Sequence, residues 1–240
     1  FNYTTEVGFN QINITSEDYT EDLSSDLSIY IDYYNGSWQG LESYALDWNV
    51  DQWYHIAVTF DGSTYLLYVD GIEMGTTTGT VSAPDSTGGN VECFLGAMDP
   101  APGISALAAN YFHGWIDEVR IWNKAVTQDQ IRYMMNQEIQ DNGAVRGMIV
   151  PQDIPGLTWN TDLDGYYRMN VACGDLDADV GPDGRLRNIF TSQQETAPLP
   201  YTSGTDGNWF TDNTWEHFNV WDPPNSEGID DNTIIAHLQY

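Results

Sequence analysis

The stretch WYHIAVTFDGSTYLLYVDG, residues 53–71, decides the fold class that we expect for this chain. Apolar residues recur there at every second position, in two runs: Tyr54, Ile56, Val58 and Phe60, then Tyr65, Leu67 and Val69. A period of two, with β-branched and aromatic residues, is typical of β-strands. The pairs Asp61-Gly62 and Asp70-Gly71 tolerate positive φ and can each close a tight hairpin. The sequence therefore predicts an antiparallel meander whose third strand is 72–81.

Further segments with the same alternation extend the prediction of an all-β chain. They are 27–34, the weaker 41–48, 91–96, 116–122 and 163–172. One helix is predicted near 128–140, because Thr127 and Gln130 can form a capping box ahead of apolar residues at helical spacing. The turn Asp141-Asn142-Gly143 is expected to end that helix.

The charge of the chain is lopsided. Its 36 acidic residues outnumber 7 basic ones, which gives a formal net charge of −29. Like charges repel, so this balance argues against nucleic-acid and anionic-membrane partners. It fits secretion into a salty medium and it fits cation binding, although a solvated acidic surface accounts for most of these carboxylates. No apolar run approaches the roughly 20 residues that span a bilayer, so no membrane insertion is expected.

The acid Asp117 opens the strand predicted at 116–122. Period-two alternation places it on the same face as Val119 and Ile121, with Glu118 and Arg120 on the other face. A buried carboxylate without a partner is costly. Asp117 is therefore expected either to accept hydrogen bonds from backbone amides or to bind a metal.

Two segments together carry a family resemblance: WYHIAVTFDGSTYLLYVDG and FHGWIDEVRIWNKAVTQDQI. They resemble the laminin-G-like, pentraxin-like branch of the concanavalin A-like jelly rolls. The resemblance implies an antiparallel β-sandwich over residues 1–139, with Greek-key links and one short helix across the edge of the IDEVRIW strand. Members of this family usually carry more strands before WYHIAVTF than 1–52 hold, so we expect the first strands to be missing or supplied from upstream.

Calcium is the cofactor that the resemblance implies. Typical ligand positions of the family correspond here to Asp117 and Asp99, and calcium takes six to eight oxygen ligands. A second candidate is the acidic loop 173–184, CGDLDADVGPDG, whose alternating acids resemble the start of an EF-hand loop. Its candidate ligands are Asp175, Asp177, Asp179 and Asp183. The closing Glu is absent, so a looser calcium loop and a solvated acidic turn both stay open.

Two cysteines are present, Cys93 and Cys173. In an extracellular protein such a pair favours one disulfide, and two buried thiols are the alternative. The composition changes after residue 139, which predicts a small β-rich connector module over 140–200. The remaining residues, 201–240, are rich in tryptophan and are predicted to form a junction to a next module.

The junction contains Trp209, Trp215 and Trp221 at a spacing of six. It resembles a stretch found in very large surface proteins of gliding and related Bacteroidota, which implies an extracellular, cell-surface location and export by the type IX secretion machinery. We expect a rigid joint, because flexible spacers are normally Gly/Ser- or Pro-rich. The expected joint bends at 211–213, packs its indoles near Leu157 and Trp159, and continues into a strand at 232–238 of the next module. Since the chain starts at Phe1 without an initiator Met, we expect a segment of a longer polypeptide.

Two classes of function follow from these features. The first is a non-catalytic adhesion or structural module of a large surface protein, whose partners are a glycan or protein ligand, adjacent domains and the secretion machinery. Within it, a carbohydrate-binding module is the alternative, since Tyr33, Tyr34 and Trp38 could stack on sugar rings. The second class is a glycoside hydrolase of the same jelly-roll fold, which needs two carboxylates about 5 Å apart. The Glu-x-Asp-x-Glu strand of that enzyme family does not occur in this sequence, and its four histidines lack zinc spacing.

Overall fold

The computed structural model describes residues 2–4, 12–17, 28–34, 38–42, 53–79, 92–97, 112, 114–171, 174–187, 201–208, 211–214 and 236–237. For the strands within 2–42, 92–94, 201–202 and 236–237 the backbone alone is described. These residues form mostly antiparallel strands and one short helix.

The N-terminal strands are β1 (Asn2–Thr4), β2 (Ile12–Glu17), β3 (Ser28–Tyr34), β4 (Trp38–Glu42), β5 (Ile56–Phe60), β6 (Thr64–Val69), β7 (Ile72–Thr78) and β8 (Glu92–Phe94). After them come β9 (Val119–Trp122), helix α1 (Gln128–Met134), β10 (Ile139–Asp141), β11 (Val145–Gly147), β12 (Leu163–Tyr167), β13 (Asp175–Leu176), β14 (Gly184–Arg185), β15 (Tyr201–Thr202), a 3₁₀ turn (Asp212–Thr214) and β16 (Ala236–His237).

The chain divides into two compact units. The first comprises Phe1–Val50, Val58–Leu67 and Glu73–Gly114, and the second Asp51–Ala57, Tyr68–Ile72 and Trp115–Tyr240. In the first unit β2, β3 and β4 form an antiparallel sheet, and β1 pairs with β8. Strand β4 lies at 38–42, earlier than the strand predicted at 41–48, and residues 43–48 lie outside the described part.

The predicted meander is present as the sheet β5-β6-β7. Tyr65 and Leu67 are fully buried, as their alternation predicts, and the Tyr65 ring stacks on Phe60 with ring centroids 4.2 Å apart. At the first turn the Asp61 carboxylate accepts hydrogen bonds from the backbone amides of Ser63 and Thr64, each at 2.8 Å. These bonds lower the pKa of Asp61 and fix the turn.

The second meander turn, Asp70-Gly71, anchors helix α1. Both residues have positive φ, 48° and 73°. The Gly71 carbonyl accepts hydrogen bonds from Gln128 Nε2 and Arg132 Nε, each at 2.9 Å. A Cβ at Gly71 would lie 2.7 Å from Arg132 Cγ, so the helix approaches the turn as closely as it does because position 71 has no side chain.

The start of helix α1 follows the prediction, but its end does not. Thr127 and Gln130 form the predicted capping box. The helix stops at Met134 instead of near 140, and Ile139–Asp141 pairs with Val145–Gly147 as a hairpin. Asp141-Asn142-Gly143 is the turn of that hairpin, in which Asp141 Oδ1 accepts a hydrogen bond from the Gly143 amide at 2.7 Å. The prediction that this turn ends the helix is wrong, since its Asx turn and glycine serve a strand connection.

Strand β9 also departs from the predicted alternation. Glu118 has a φ of 52°, so the strand begins at Val119 and not at 116. Val119 is buried, but Ile121 is 37% exposed while the Arg120 side chain is only 7% exposed. The predicted apolar face is therefore wrong beyond Val119: the charged residue turns inward. Strand β12 ends at Tyr167, short of the predicted 172, and Met169 has a φ of 56°.

The core of the second unit forms around strand β12, which pairs with β9 in an antiparallel register of Tyr166 with Arg120 and Tyr167 with Val119. Its buried apolar residues lie in β9, helix α1, β10 to β13 and the connecting loops, and they include Val119, Val126, Ile131, Met134, Met135, Ile139, Val145, Ile154, Leu157, Trp159, Leu163, Tyr166, Tyr167 and Leu176. This core positions the charged cluster described below.

The C-terminal residues contain two short strands that pair in parallel, β15 with β16. The strand expected to belong to a next module thus pairs within this chain at Ala236–His237. The predicted bend at 211–213 coincides with the 3₁₀ turn, where Thr214 is buried and its carbonyl accepts a hydrogen bond from the Gly204 amide at 2.9 Å. Trp209, Trp215 and Trp221 lie outside the described residues.

Candidate functional site

Several predicted site residues lie where the structure says little of their side chains. Asp99 and Cys173 are outside the described residues, and Cys93 lies in strand β8, of which only the backbone is described. The backbone register pairs Tyr34 with Trp38 and Tyr33 with Gln39. The disulfide and the glycan-stacking residues therefore stay predictions. Asp117 is half-buried immediately before β9 and has a polar interaction.

The four acids of the predicted calcium loop do not converge on one point. Asp175 lies in β13, which forms an antiparallel pair with β14. Asp183 Oδ1 accepts a hydrogen bond from the Ala178 amide at 3.1 Å, which closes the turn between these strands. Asp179 Oδ2 accepts one from Arg168 Nε at 2.8 Å, and Asp177 is exposed.

This arrangement does not fit a calcium ion. Calcium takes six to eight oxygens at about 2.3–2.6 Å, so several carboxylates have to face one point. Within the part of the chain that the structure describes, no three His, Cys, Asp or Glu side chains are grouped so that they could hold a metal.

A buried charged cluster lies instead at strand β9, directly after the predicted metal ligand Asp117. Its central residues are Glu118, Arg120 and Tyr166. Arg120 Nη2 donates to Glu118 Oε2 at 2.6 Å, and the Tyr166 hydroxyl donates to the same oxygen at 2.8 Å. The Glu118 side chain is 9% exposed. Burial raises the pKa of Glu118, against the opposing effect of Arg120, and burial also raises the pKa of Tyr166.

The same arginine closes the end of helix α1. Arg120 Nη1 donates to the Met134 carbonyl at 2.8 Å, and Nη2 donates to the Gln137 carbonyl at 2.6 Å. A cation at a helix C-terminus satisfies carbonyls that have no partner within the helix. These two hydrogen bonds explain why the Arg120 side chain turns inward and why the helix ends early.

A second arginine, Arg168, extends the cluster directly after strand β12. Arg168 donates to Glu138 and to Asp179, and its Nη2 donates to the Ile139 carbonyl at 2.9 Å. The guanidinium carbons of Arg120 and Arg168 lie 5.4 and 4.9 Å from the Tyr166 ring centroid, within cation–π distance. Trp159 packs edge-on against the same ring, with centroids 6.0 Å apart.

His55, on the opening stretch, is held by the second meander turn. Its backbone amide donates to Asp70 Oδ1 at 2.7 Å, and its carbonyl accepts from the Asp70 amide at 2.8 Å. The imidazole Nδ1 is buried and has no hydrogen-bond partner among the described residues. Burial, followed by the positive charge of Arg120, lowers the pKa of His55 to about 3, so the ring is neutral at physiological pH.

Most of this cluster was not readable from the alternation of the sequence. Period-two alternation predicted Asp117 on the apolar face and Glu118 and Arg120 on the other face. A usable signal existed in the composition: only 7 basic residues occur in 240, so each arginine within a strand segment calls for a specific partner. The Glu118 carboxylate is poorly placed to contact a ligand, since its Oε2 already accepts two hydrogen bonds and the side chain is shielded from solvent.

A laminin-G family model, described as that of the concanavalin A-like lectin/glucanases superfamily, matches residues 2–132. This segment is more than half of the chain. The chain belongs to the concanavalin A-like superfamily. The resemblance found in the sequence is confirmed at the family level, and so is the concanavalin A-like fold of mostly strands with one short helix. The antiparallel sheets fit the β-sandwich of this superfamily.

The concanavalin A-like chain was also compared with solved structures and with curated proteins. Its solved-structure matches include residues 221–444 of an S-layer domain-containing protein from Clostridium thermocellum, at 19% identity, covering 56% of this chain and 67% of that one, with a TM-score of 0.30. No curated protein matches it. Among its described helical residues, none form a helix long and apolar enough to cross a bilayer.

Proposed function

We propose that this chain is a non-catalytic extracellular module with an adhesive or structural role in a large multidomain cell-surface protein. The observation that carries the proposal is the state of Glu118. This acid of the IDE segment is buried and accepts hydrogen bonds from both Arg120 and Tyr166, so it stabilises the domain and is not available to a substrate. Membership of the concanavalin A-like superfamily supports a surface-binding role, because laminin-G-like domains commonly bind ligands.

The composition supports the extracellular part of the proposal. A net charge of −29 keeps a protein soluble in salty media and disfavours binding to nucleic acid or anionic lipid. The tryptophan-rich stretch 201–240 supports a place beside further domains of one chain. A Bacteroidota origin and type IX secretion are part of this proposal and rest on the sequence resemblance alone.

A carbohydrate-binding module is the second candidate. The backbone pairing of Tyr34 with Trp38 brings two aromatic residues to adjacent positions of strands β3 and β4. Two neighbouring aromatic rings could stack on a sugar, although aromatic residues of a β-sandwich more often form its core.

A glycan array with the purified 240-residue chain separates these functions. The adhesive or structural proposal predicts no release of reducing sugar from any glycan that the chain binds. Sugar release at a rate above that of buffer, lost in Glu118→Gln, would identify a glycosidase and overturn the proposal. Saturable binding that disappears in Trp38→Ala, with the melting temperature unchanged, would establish the carbohydrate-binding function.

Calcium at Asp117 and Asp99 stays part of the proposal, since Asp99 lies outside the described residues. Isothermal titration of the metal-free chain with CaCl₂ tests it. Binding that is lost in both Asp99→Asn and Asp117→Asn would support the site, and the absence of binding heat would remove calcium from the function.

A further inference from the structure

We propose that the guanidinium of Arg168 is the cation that holds the acidic loop 173–184 in place, and that docking of this loop is independent of metal. Residues 174–184 of the loop are described. The loop resembles a calcium loop in sequence, but its acids bond within the protein. Arg168, directly after strand β12, thus supplies the positive charge that a calcium ion supplies in EF-hand loops.

Each of the three guanidinium nitrogens of Arg168 donates a hydrogen bond to an oxygen acceptor. Nε donates to Asp179 Oδ2 at 2.8 Å, Nη1 donates to Glu138, and Nη2 donates to the Ile139 carbonyl at 2.9 Å. A guanidinium presents five donors in a rigid fork, which suits it to join several acceptors at once. Arg168 therefore connects the acidic loop to the residues that follow helix α1.

The backbone of the loop docks on the same strand. The Tyr166 amide donates to the Val180 carbonyl, and the Asp179 amide donates to the Tyr166 carbonyl, both at 3.0 Å. The Tyr167 hydroxyl donates to the Pro182 carbonyl at 2.8 Å. At Gly181, which has a φ of 92°, a Cβ would lie 2.5 Å from the Asp164 carbonyl oxygen. The loop is thus built to lie directly against β12.

The charges favour an arginine over a bound ion at this position. Asp179 is the acid of the loop that faces β12, and it already pairs with a cation. A calcium ion bound by Asp179 would have to displace Arg168 or lie beside a like charge. Asp175, by contrast, lies 3.7 Å from Arg185 in a largely exposed pair, which contributes little.

Three variants of the full 240-residue chain test the proposal. Asp179→Asn removes the carboxylate charge that Arg168 pairs with, and Arg168→Gln removes the cation. Asp177→Asn is the matched control, because Asp177 is exposed in the same loop but would be a ligand in the calcium interpretation. Hydrogen exchange at the Asp179 amide reports loop docking locally, and calcium bound elsewhere in the chain leaves it unchanged.

The expected result is faster exchange at the residue-179 amide in Asp179→Asn and Arg168→Gln, by the same factor in 5 mM EDTA and in 5 mM CaCl₂, with melting temperatures lower by about 2–4 °C. Asp177→Asn should match wild type in both buffers. Should either variant fail to fold, wild type alone decides: its exchange at Asp179 must not differ between EDTA and CaCl₂. Slower exchange in CaCl₂, lost in Asp177→Asn, overturns the proposal in favour of a metal, and unchanged exchange in Asp179→Asn overturns it as well.

Discussion

The hydroxyl of Tyr166 lies 2.8 Å from Oε2 of Glu118, the same oxygen that accepts from Arg120. Strand pairing brings these two residues together across 48 positions of sequence. The hydroxyl also accepts a hydrogen bond from the Ile139 amide at 3.3 Å. One tyrosine oxygen therefore connects the strand that carries IDEVRIW to the hairpin after the helix.

Replacing this hydroxyl should destabilise the chain. In Tyr166→Phe the Ile139 amide loses its acceptor and Glu118 loses a donor, so we expect a loss of about 1–3 kcal/mol in the free energy of unfolding, measured with urea. Tyr133→Phe is the control, because the Tyr133 hydroxyl is less buried: its bond to the Val150 carbonyl is half-buried and its bond to the Gln152 carbonyl is exposed. Equal effects of the two substitutions would show that burial of the Tyr166 bond adds nothing.

The buried imidazole of His55 should make the chain sensitive to acid. Its pKa is lowered from 6.5 to about 3 by burial and by Arg120, so the unfolded chain binds this proton more readily than the folded one. Stability is then fully present above about pH 6.5 and falls as the pH drops toward 3, by up to about 1.4 kcal/mol per pH unit. The raised pKa of Glu118 acts in the opposite direction, since that group stabilises less as the pH rises above 4.5.

The contribution of His55 to the pH dependence can be isolated with a variant. His55→Gln should flatten the dependence of the unfolding free energy on pH between 4 and 6.5, relative to wild type, because the titrating group is gone while Asp70 and Arg120 remain. An unchanged slope would mean that the imidazole takes up its proton in the folded state. Glu73→Gln, at an exposed position of strand β7, is expected to leave the slope as it is.

Gly71 should tolerate a side chain less well than Gly62, although both occupy turns of one meander. Both have positive φ, so alanine is strained at either position by about 1 kcal/mol. At Gly62 nothing lies within 4 Å of the added Cβ, whereas at Gly71 it meets Arg132 Cγ at 2.7 Å and Met135 Sδ at 3.1 Å. Gly71→Ala should therefore lower the melting temperature more than Gly62→Ala. Equal shifts would contradict close packing of the helix on the turn.

The cysteine prediction is tested by counting thiols. With Cys93 and Cys173 joined, the unfolded and unreduced chain should give no reaction with a thiol reagent, and reduction should reveal two thiols per chain. A loop closed by such a bond stabilises by about 4 kcal/mol in the chain-entropy model, so the reduced protein should unfold at lower urea. Two reactive thiols before reduction would establish free cysteines.

Local features of the fold were readable from the sequence. The meander, its Asp-Gly turns and the capping box of Thr127 depend on residues within a few positions of one another, so alternation and turn chemistry predict them. The end of helix α1 was not readable, because it depends on Arg120 reaching the Met134 carbonyl from another strand. Alternation counts charged residues as outward-facing, and Arg120 turns inward because two carbonyls and Glu118 satisfy it there.

The acidic loop shows the same limit for a site. Alternating aspartates predict convergence on a cation, and the spacing does not tell a calcium ion from an arginine. The partner of Asp179 is Arg168, from a strand flank that only the folded register brings near. The composition did hold a usable clue, since cations are rare in this chain and five of its seven Lys and Arg side chains lie in ion pairs with acids.

The antiparallel register of β9 and β12 also determines how the second unit responds to a pull. The chain enters β9 after Glu118 and leaves β12 at Arg168, and the register of Val119 with Tyr167 places these two points at one end of the strand pair. Tension applied at Glu118 and Arg168 would separate the two strands from that end, one hydrogen bond at a time. The charged cluster lies at that end, with Glu118, Arg120, Tyr166 and Arg168. Its hydrogen bonds and ion pairs therefore have to break before the first residue pair of β9 and β12 separates.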